Sequence, residues 1–149
     1  MKAKVRLEDA LPLMEAAFEA GASFRFFQRG ASMLPMLREG VDSVQLISPE
    51  GQDIKKGDVI LYRRENGVFV LHRIVGVASD GSFVLCGDNQ WLLERGIRKE
   101  NVIALLEGFW RGDEWVSCED KKYQKYVKKR MRTRIIRRFK SIASKILRR

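Results

Sequence analysis

The chain has 149 residues, 45% of them hydrophobic, with three Trp, eight Phe and three Tyr; this is enough for one folded domain with a core and too apolar for a disordered segment. Its net charge of +10 sits at one end. From Lys121 onward there are 14 Lys/Arg and no Asp or Glu, so residues 1–120 carry 15 basic against 19 acidic groups, a net of −4. No run of about 18 apolar residues exists to cross a membrane, and the N-terminus lacks the continuous apolar region of a secretory signal. One His, with Cys86 and Cys118, fits no zinc, haem or dithiol spacing, so neither a metal nor a cofactor is expected. The expected location is cytoplasmic.

Leu7, Leu11, Met14 and Phe18 recur at helical spacing and predict an amphipathic helix over 7–20, closed by Gly21. Ser23 to Gln28, with Phe24, Phe26 and Phe27, reads as a strand feeding the turn Gly30-Ala31-Ser32-Met33-Leu34-Pro35. Val41–Ile47 and Val59–Tyr62 read as further strands. Glu65-Asn66-Gly67 is a tight hairpin returning along Val68–Val77, whose alternation puts Leu71, Arg73 and Val75 on one face and Val70, His72 and Ile74 on the other. A turn at Ser79-Asp80-Gly81 leads to Ser82–Cys86, Gly87-Asp88-Asn89 ends that strand, and a polar stretch runs to Asn101. Val102–Trp110 is the last long strand, turning at Arg111-Gly112-Asp113 toward Trp115 and Val116. From Glu119 the pattern changes. Tyr123, Val127, Met131, Ile135, Phe139, Ile142 and Ile146 recur every three or four residues among Lys and Arg, predicting one basic amphipathic helix of roughly 25–30 residues. The expected division is a mainly antiparallel β body at 1–118, with its N-terminal helix, and a basic helical tail at 119–149.

Three residues of this body form a candidate nucleophilic site. A serine hydroxyl needs a neighbouring base, histidine is suited to that role near neutral pH, and a carboxylate on its far nitrogen orients it. Ser32 stands on a Gly–Pro turn, His72 in a strand interior and Asp88 at the end of the next strand. If the hairpin around 79–81 pairs residues whose numbers sum to about 160, His72 lies near Asp88. Each residue also has an ordinary reading: Ser32 and Asp88 as turn residues, His72 as a hydrogen-bonded core histidine, Asp58 as a turn former, Cys86 and Trp91 as packing.

The blocks Gly30-Ala31-Ser32-Met33-Leu34-Pro35, Lys56-Gly57-Asp58-Val59, Leu71-His72-Arg73-Ile74-Val75 and Gly87-Asp88-Asn89 resemble, in order and spacing, the type I signal peptidase family, and more distantly the LexA-like self-cleaving proteases. The resemblance covers roughly Phe24–Phe109. It implies a β-rich, partly barrel-like catalytic fold and a serine endopeptidase with Ser32 as nucleophile. His72 would be the base, as in the archaeal and endoplasmic-reticulum branch, and Asp88 the third residue. The Ser32 amide would serve as oxyanion donor, with Gly30 and Met33 beside it. The chain departs from that family in having no membrane-spanning segment, in carrying Glu94 where the His branch commonly has a second Asp, and in carrying Gly30 where some bacterial members have Ser. The implied substrate is an extended peptide or precursor protein, cut after a small side chain. For the tail, residues 121–149, the resemblance favours an anionic membrane surface on the inner face of the membrane, against nucleic acid or packing on the body itself. A LexA-like self-cleaving regulator and a catalytically silent binding module acting through the tail are the alternatives.

Overall fold

The apolar spacing around Leu11 and Met14 forms helix α1, Leu7–Glu19, which buries Ala10 and Met14. The structure, a computed structural model, describes residues 6–147, apart from the side chains of 135, 137–139 and 141. The expected stripe positions Ile135 and Phe139 therefore lie outside the described side chains. After α1 come β1 (Phe24–Phe26), β2 (Ser43–Ile47), β3 (Val59–Arg63), β4 (Phe69–Val77), β5 (Phe83–Cys86), β6 (Glu94–Ile97), β7 (Val102–Arg111) and β8 (Glu114–Ser117). All pairings are antiparallel, in the order β1-β2-β7-β3-β4-β5-β6, with β8 on β7. The sheet is open. The body is thus the expected antiparallel sheet preceded by a helix.

Both faces of the sheet are covered at its centre, which is why β3 is buried at four consecutive positions. Val59 and Leu61 point into one core with Met33, Leu37, Val44, Leu46 and Phe109, closed by α1 and the C-terminal region. Ile60 and Tyr62 point into a second core with Ile74, Phe83, Leu85 and Val102. Strand β4 divides the same way, so adjacent residues on it belong to different surroundings.

Two elements differ from the sequence expectation. The stretch after Asn89 contains β6, a strand with only Ile97 buried; as an end strand it needs no apolar alternation. The basic tail is two helices, α2 (Lys121–Arg132) and α3 (Arg134–Leu147). At the junction the Thr133 hydroxyl bonds back to the Lys129 carbonyl at 2.9 Å, a local competitor of the helical ladder. Asp120 caps α2 by accepting from the amides of Lys122 and Tyr123. Helix α2 is part of the body: Tyr123 and Val127 are buried in the first core. No described helix is long and apolar enough to cross a membrane.

Candidate active site

The Ser32 turn is held from beneath and from the side. Gly30 takes φ +85°, a left-handed conformation that favours glycine, and the chain then folds Met33, Met36 and Leu37 into the first core. Arg111 donates to the carbonyls of Pro35 and Met36, both at 2.9 Å. On the other side the Asn89 amide donates to the Ser32 carbonyl at 2.8 Å and the Asn89 side chain to the Ala31 carbonyl at 3.1 Å. The Gly-Asp-Asn block therefore clamps the serine turn directly. Among the described residues the amides of Gly30, Ser32 and Met33 and the Ser32 hydroxyl make no hydrogen bond to a protein group.

The main chain of Ser32 and the ring of His72 both lie against Gly87. A Cβ there would lie 2.6 Å from the Ser32 carbonyl oxygen and 3.2 Å from His72 Cδ2. Only a residue without a side chain allows these groups to converge. Ser32 lines a cleft of about 480 Å³ floored by Val44, Leu46, Leu61, Phe69 and Leu71. His72 lines a second cleft, of about 530 Å³, with Arg64, Asn89, Trp91, Leu92 and Glu94. Asn89 touches both regions, as a wall of the second and a clamp on the Ser32 turn.

The partner of His72 was not read from the sequence. Ile60 is its cross-strand neighbour, and Tyr62, two residues along β3, shares its face. The Tyr62 hydroxyl donates to Glu94 Oε1 at 2.7 Å and lies 3.3 Å from His72 Nδ1. With its one proton given to Glu94, the phenol oxygen faces Nδ1 as an acceptor. That arrangement puts the imidazole proton on Nδ1 and leaves the Nε2 lone pair to act as a base. Glu94 is itself gripped by Arg64 through Nε and Nη2, with the shortest bond 2.9 Å. Burial opposes the charge on Glu94, but the bonds from Arg64 and Tyr62 outweigh it and hold the carboxyl below its usual range. Burial, and then the Arg64 charge, push His72 down to about 4 against the pull of Glu94 and Asp88, so the ring is neutral near pH 7.

Asp88 occupies a different place from the one expected. Its carboxylate accepts from Arg73 Nε at 2.8 Å and Nη2 at 2.9 Å, and from the Tyr126 hydroxyl of α2 at 2.7 Å. The physical reason is register. Between Ile74 and Gly76 the β4–β5 pairing shifts, so Arg73 faces Cys86, and the count of 159 brings Gly87, not Asp88, beside His72. Asp88 then falls on the Arg73 side of β4, and both side chains are buried, 1% and 2% exposed. Burial works against the Arg73 charge, but Asp88 and Tyr123 more than compensate, raising its pKa. Arg73 further donates to the Gly57 carbonyl at 2.7 Å and to the Tyr123 hydroxyl at 3.1 Å, while Arg130 donates to the Asp88 carbonyl at 2.9 Å. Asp58 accepts the Lys55 amide at 2.9 Å, as a turn former does.

The structure thus sets the Ser32 turn and the His72 ring against Gly87, gives His72 to Tyr62 and Glu94, and gives Asp88 to Arg73 and α2. Tyr62 carried one signal in the sequence: once the Asn-Gly hairpin sets the β3–β4 register, it is the diagonal neighbour of the only histidine. No protein-family model matches this chain, and no curated protein does.

Proposed function

We propose that the protein is a serine endopeptidase of the signal-peptidase kind, with Ser32 as nucleophile and His72 as general base. The observation that carries this reading is the convergence at Gly87 of the Ser32 turn and the only histidine. Ser32 Oγ attacks the scissile carbonyl while His72 Nε2 takes its proton and then gives it to the leaving amine. The amides of Ser32 and Met33, which make no bond within the protein, are the donors assigned to the charge that develops on the carbonyl oxygen. Tyr62, braced by Glu94 and Arg64, orients the ring. Asp88 supports the site at one remove, by fixing the loop that clamps Ser32. No Ser32–His72 hydrogen bond is present in the structure, and this mechanism requires one to form on substrate binding.

The substrate is an extended peptide. The Phe69–Leu71 part of β4 pairs with β3 alone, since β5 joins only from Arg73, and this open edge borders the Ser32 cleft. A peptide added there as a strand would lay alternate side chains toward the apolar floor. A self-cleaving reading has one observation in its favour: Arg6, Leu7 and Glu8 of the chain itself line the same cleft. Intact mass of the purified protein against Ser32→Ala separates the two, because self-cleavage leaves a Ser32-dependent internal cut.

A fluorophosphonate probe tests the enzyme reading. It should label the protein at Ser32, with labelling abolished in Ser32→Ala and slowed in His72→Ala. Absence of labelling, or equal labelling in His72→Ala, overturns it and leaves a binding module.

A further inference from the structure

The two basic helices at the end of the chain share a composition and differ in what covers them. Helix α2 turns Tyr123 and Val127 into the core. Helix α3 leaves Ile136, Ile142, Ile146 and Leu147 exposed, Ile146 at 62% and Leu147 at 85%. At 100° per residue these four fall on one arc of the helix, while Arg134 and Lys145 fall on the opposite side. Residues 134–147 contain five Lys/Arg and no acidic residue.

We propose that α3 lies in the plane of an anionic lipid bilayer, its aliphatic arc among the acyl chains and its cations on the lipid phosphates. Only this occupant satisfies both sides of the helix. Nucleic acid would neutralise the cations and leave the aliphatic arc in water. A second copy would cover the arc but leave the five cations of each helix facing water with no counter-charge. Fourteen residues span about 21 Å, short of the ~30 Å hydrocarbon core, so the helix lies on the membrane without crossing it.

The position of α3 also orients the rest of the molecule. Lys145 Nζ sits 5.8 Å from the centre of the Trp91 ring. Trp91 and the 72% exposed Leu92 line the cleft that holds His72. The polar side of α3 therefore faces that cleft, and a bilayer that takes the aliphatic arc meets the helix from the other side. The lipid contact does not depend on the proposed role of His72.

The test is co-sedimentation of the full-length protein with phosphatidylcholine vesicles and with vesicles that also contain phosphatidylglycerol, at low and high salt. The expected result is at least about tenfold stronger binding to the anionic vesicles, lost at high salt and lost in the double variant Ile142→Asn, Ile146→Asn. Neither substitution touches the candidate site, so fluorophosphonate labelling of Ser32 in the variant should match wild type, which also shows that it folds. Failure of labelling with vesicle binding intact sinks the peptidase reading alone. No binding to either vesicle, or undiminished binding by the double variant, overturns the lipid proposal. So does a dimer in solution that needs Ile142 and Ile146 while vesicles are ignored, or salt-sensitive binding confined to RNA.

Discussion

His72 and Arg73 are neighbours in the chain and opposites in their surroundings. On the Arg73 side of β4 the charges are fully paired: one guanidinium, one carboxylate, two phenols and a backbone carbonyl, sealed by α2. On the His72 side one ring nitrogen donates a single hydrogen bond to a braced tyrosine, and the ring borders an open cleft. A closed network of this kind holds structure, because removing the guanidinium or the carboxylate strands the other charge in the interior. A ring held at one nitrogen and open at the other is arranged for proton transfer. The same alternation that separates two cores therefore separates a closed ion-pair network from a histidine at an open cleft.

Substitutions on the two sides should fail differently. The largest effect is expected at His72→Ala, which should slow fluorophosphonate labelling of Ser32 by about 10²–10⁴-fold while the protein remains folded by circular dichroism. Asp88→Ala should instead show in stability, losing about 3–5 kcal/mol in urea unfolding by leaving Arg73 buried without its carboxylate. If Asp88→Ala keeps its stability and loses labelling, Asp88 serves His72 after all and the comparison collapses.

Acid should expose the difference next. With His72 at about 4 in the folded protein against an ordinary value near 6.5, the unfolded chain binds the extra proton between those values. Stability contributed by the neutral ring is therefore complete above about pH 6.5 and is lost as pH falls toward 4, by about 3 kcal/mol. Labelling, which needs the neutral base, should stay flat from pH 8 down to about 5 and fall only near pH 4. An acid limb near pH 6.5 would contradict the burial of the ring. The smallest effect is expected at Tyr62→Phe. Losing the phenol should slow labelling by about tenfold and raise the acid limb or blunt it, with little change in unfolding. Unchanged kinetics there would remove Tyr62 from the orienting role.

Much of this was legible in the sequence. The β body, the Gly30–Pro35 turn and the face of β4 that carries His72 all follow from local pattern, since turn residues and period-two alternation act over a few residues. The placement of Asp88 did not follow, because one bulged residue between Ile74 and Gly76 moves every later position across the sheet. Strand β6 was hidden for a related reason: Glu94 and Arg95 carry no apolar alternation, and their strand exists because β5 offers it an edge. The tail reads as one periodic helix, and periodicity is blind to what the stripe meets.

By itself, then, the sequence determined most of the elements, the single histidine and the chemical type of the tail, because these depend on residue identity and short spacing. Only the tertiary structure decided which carboxylate belongs to which side of the sheet, that Tyr62 stands between Glu94 and His72, and that α2 is core while α3 is surface. Those outcomes rest on cross-strand register and on competition for buried area, quantities set by residues 30 to 50 positions apart and summed over the whole packed sheet.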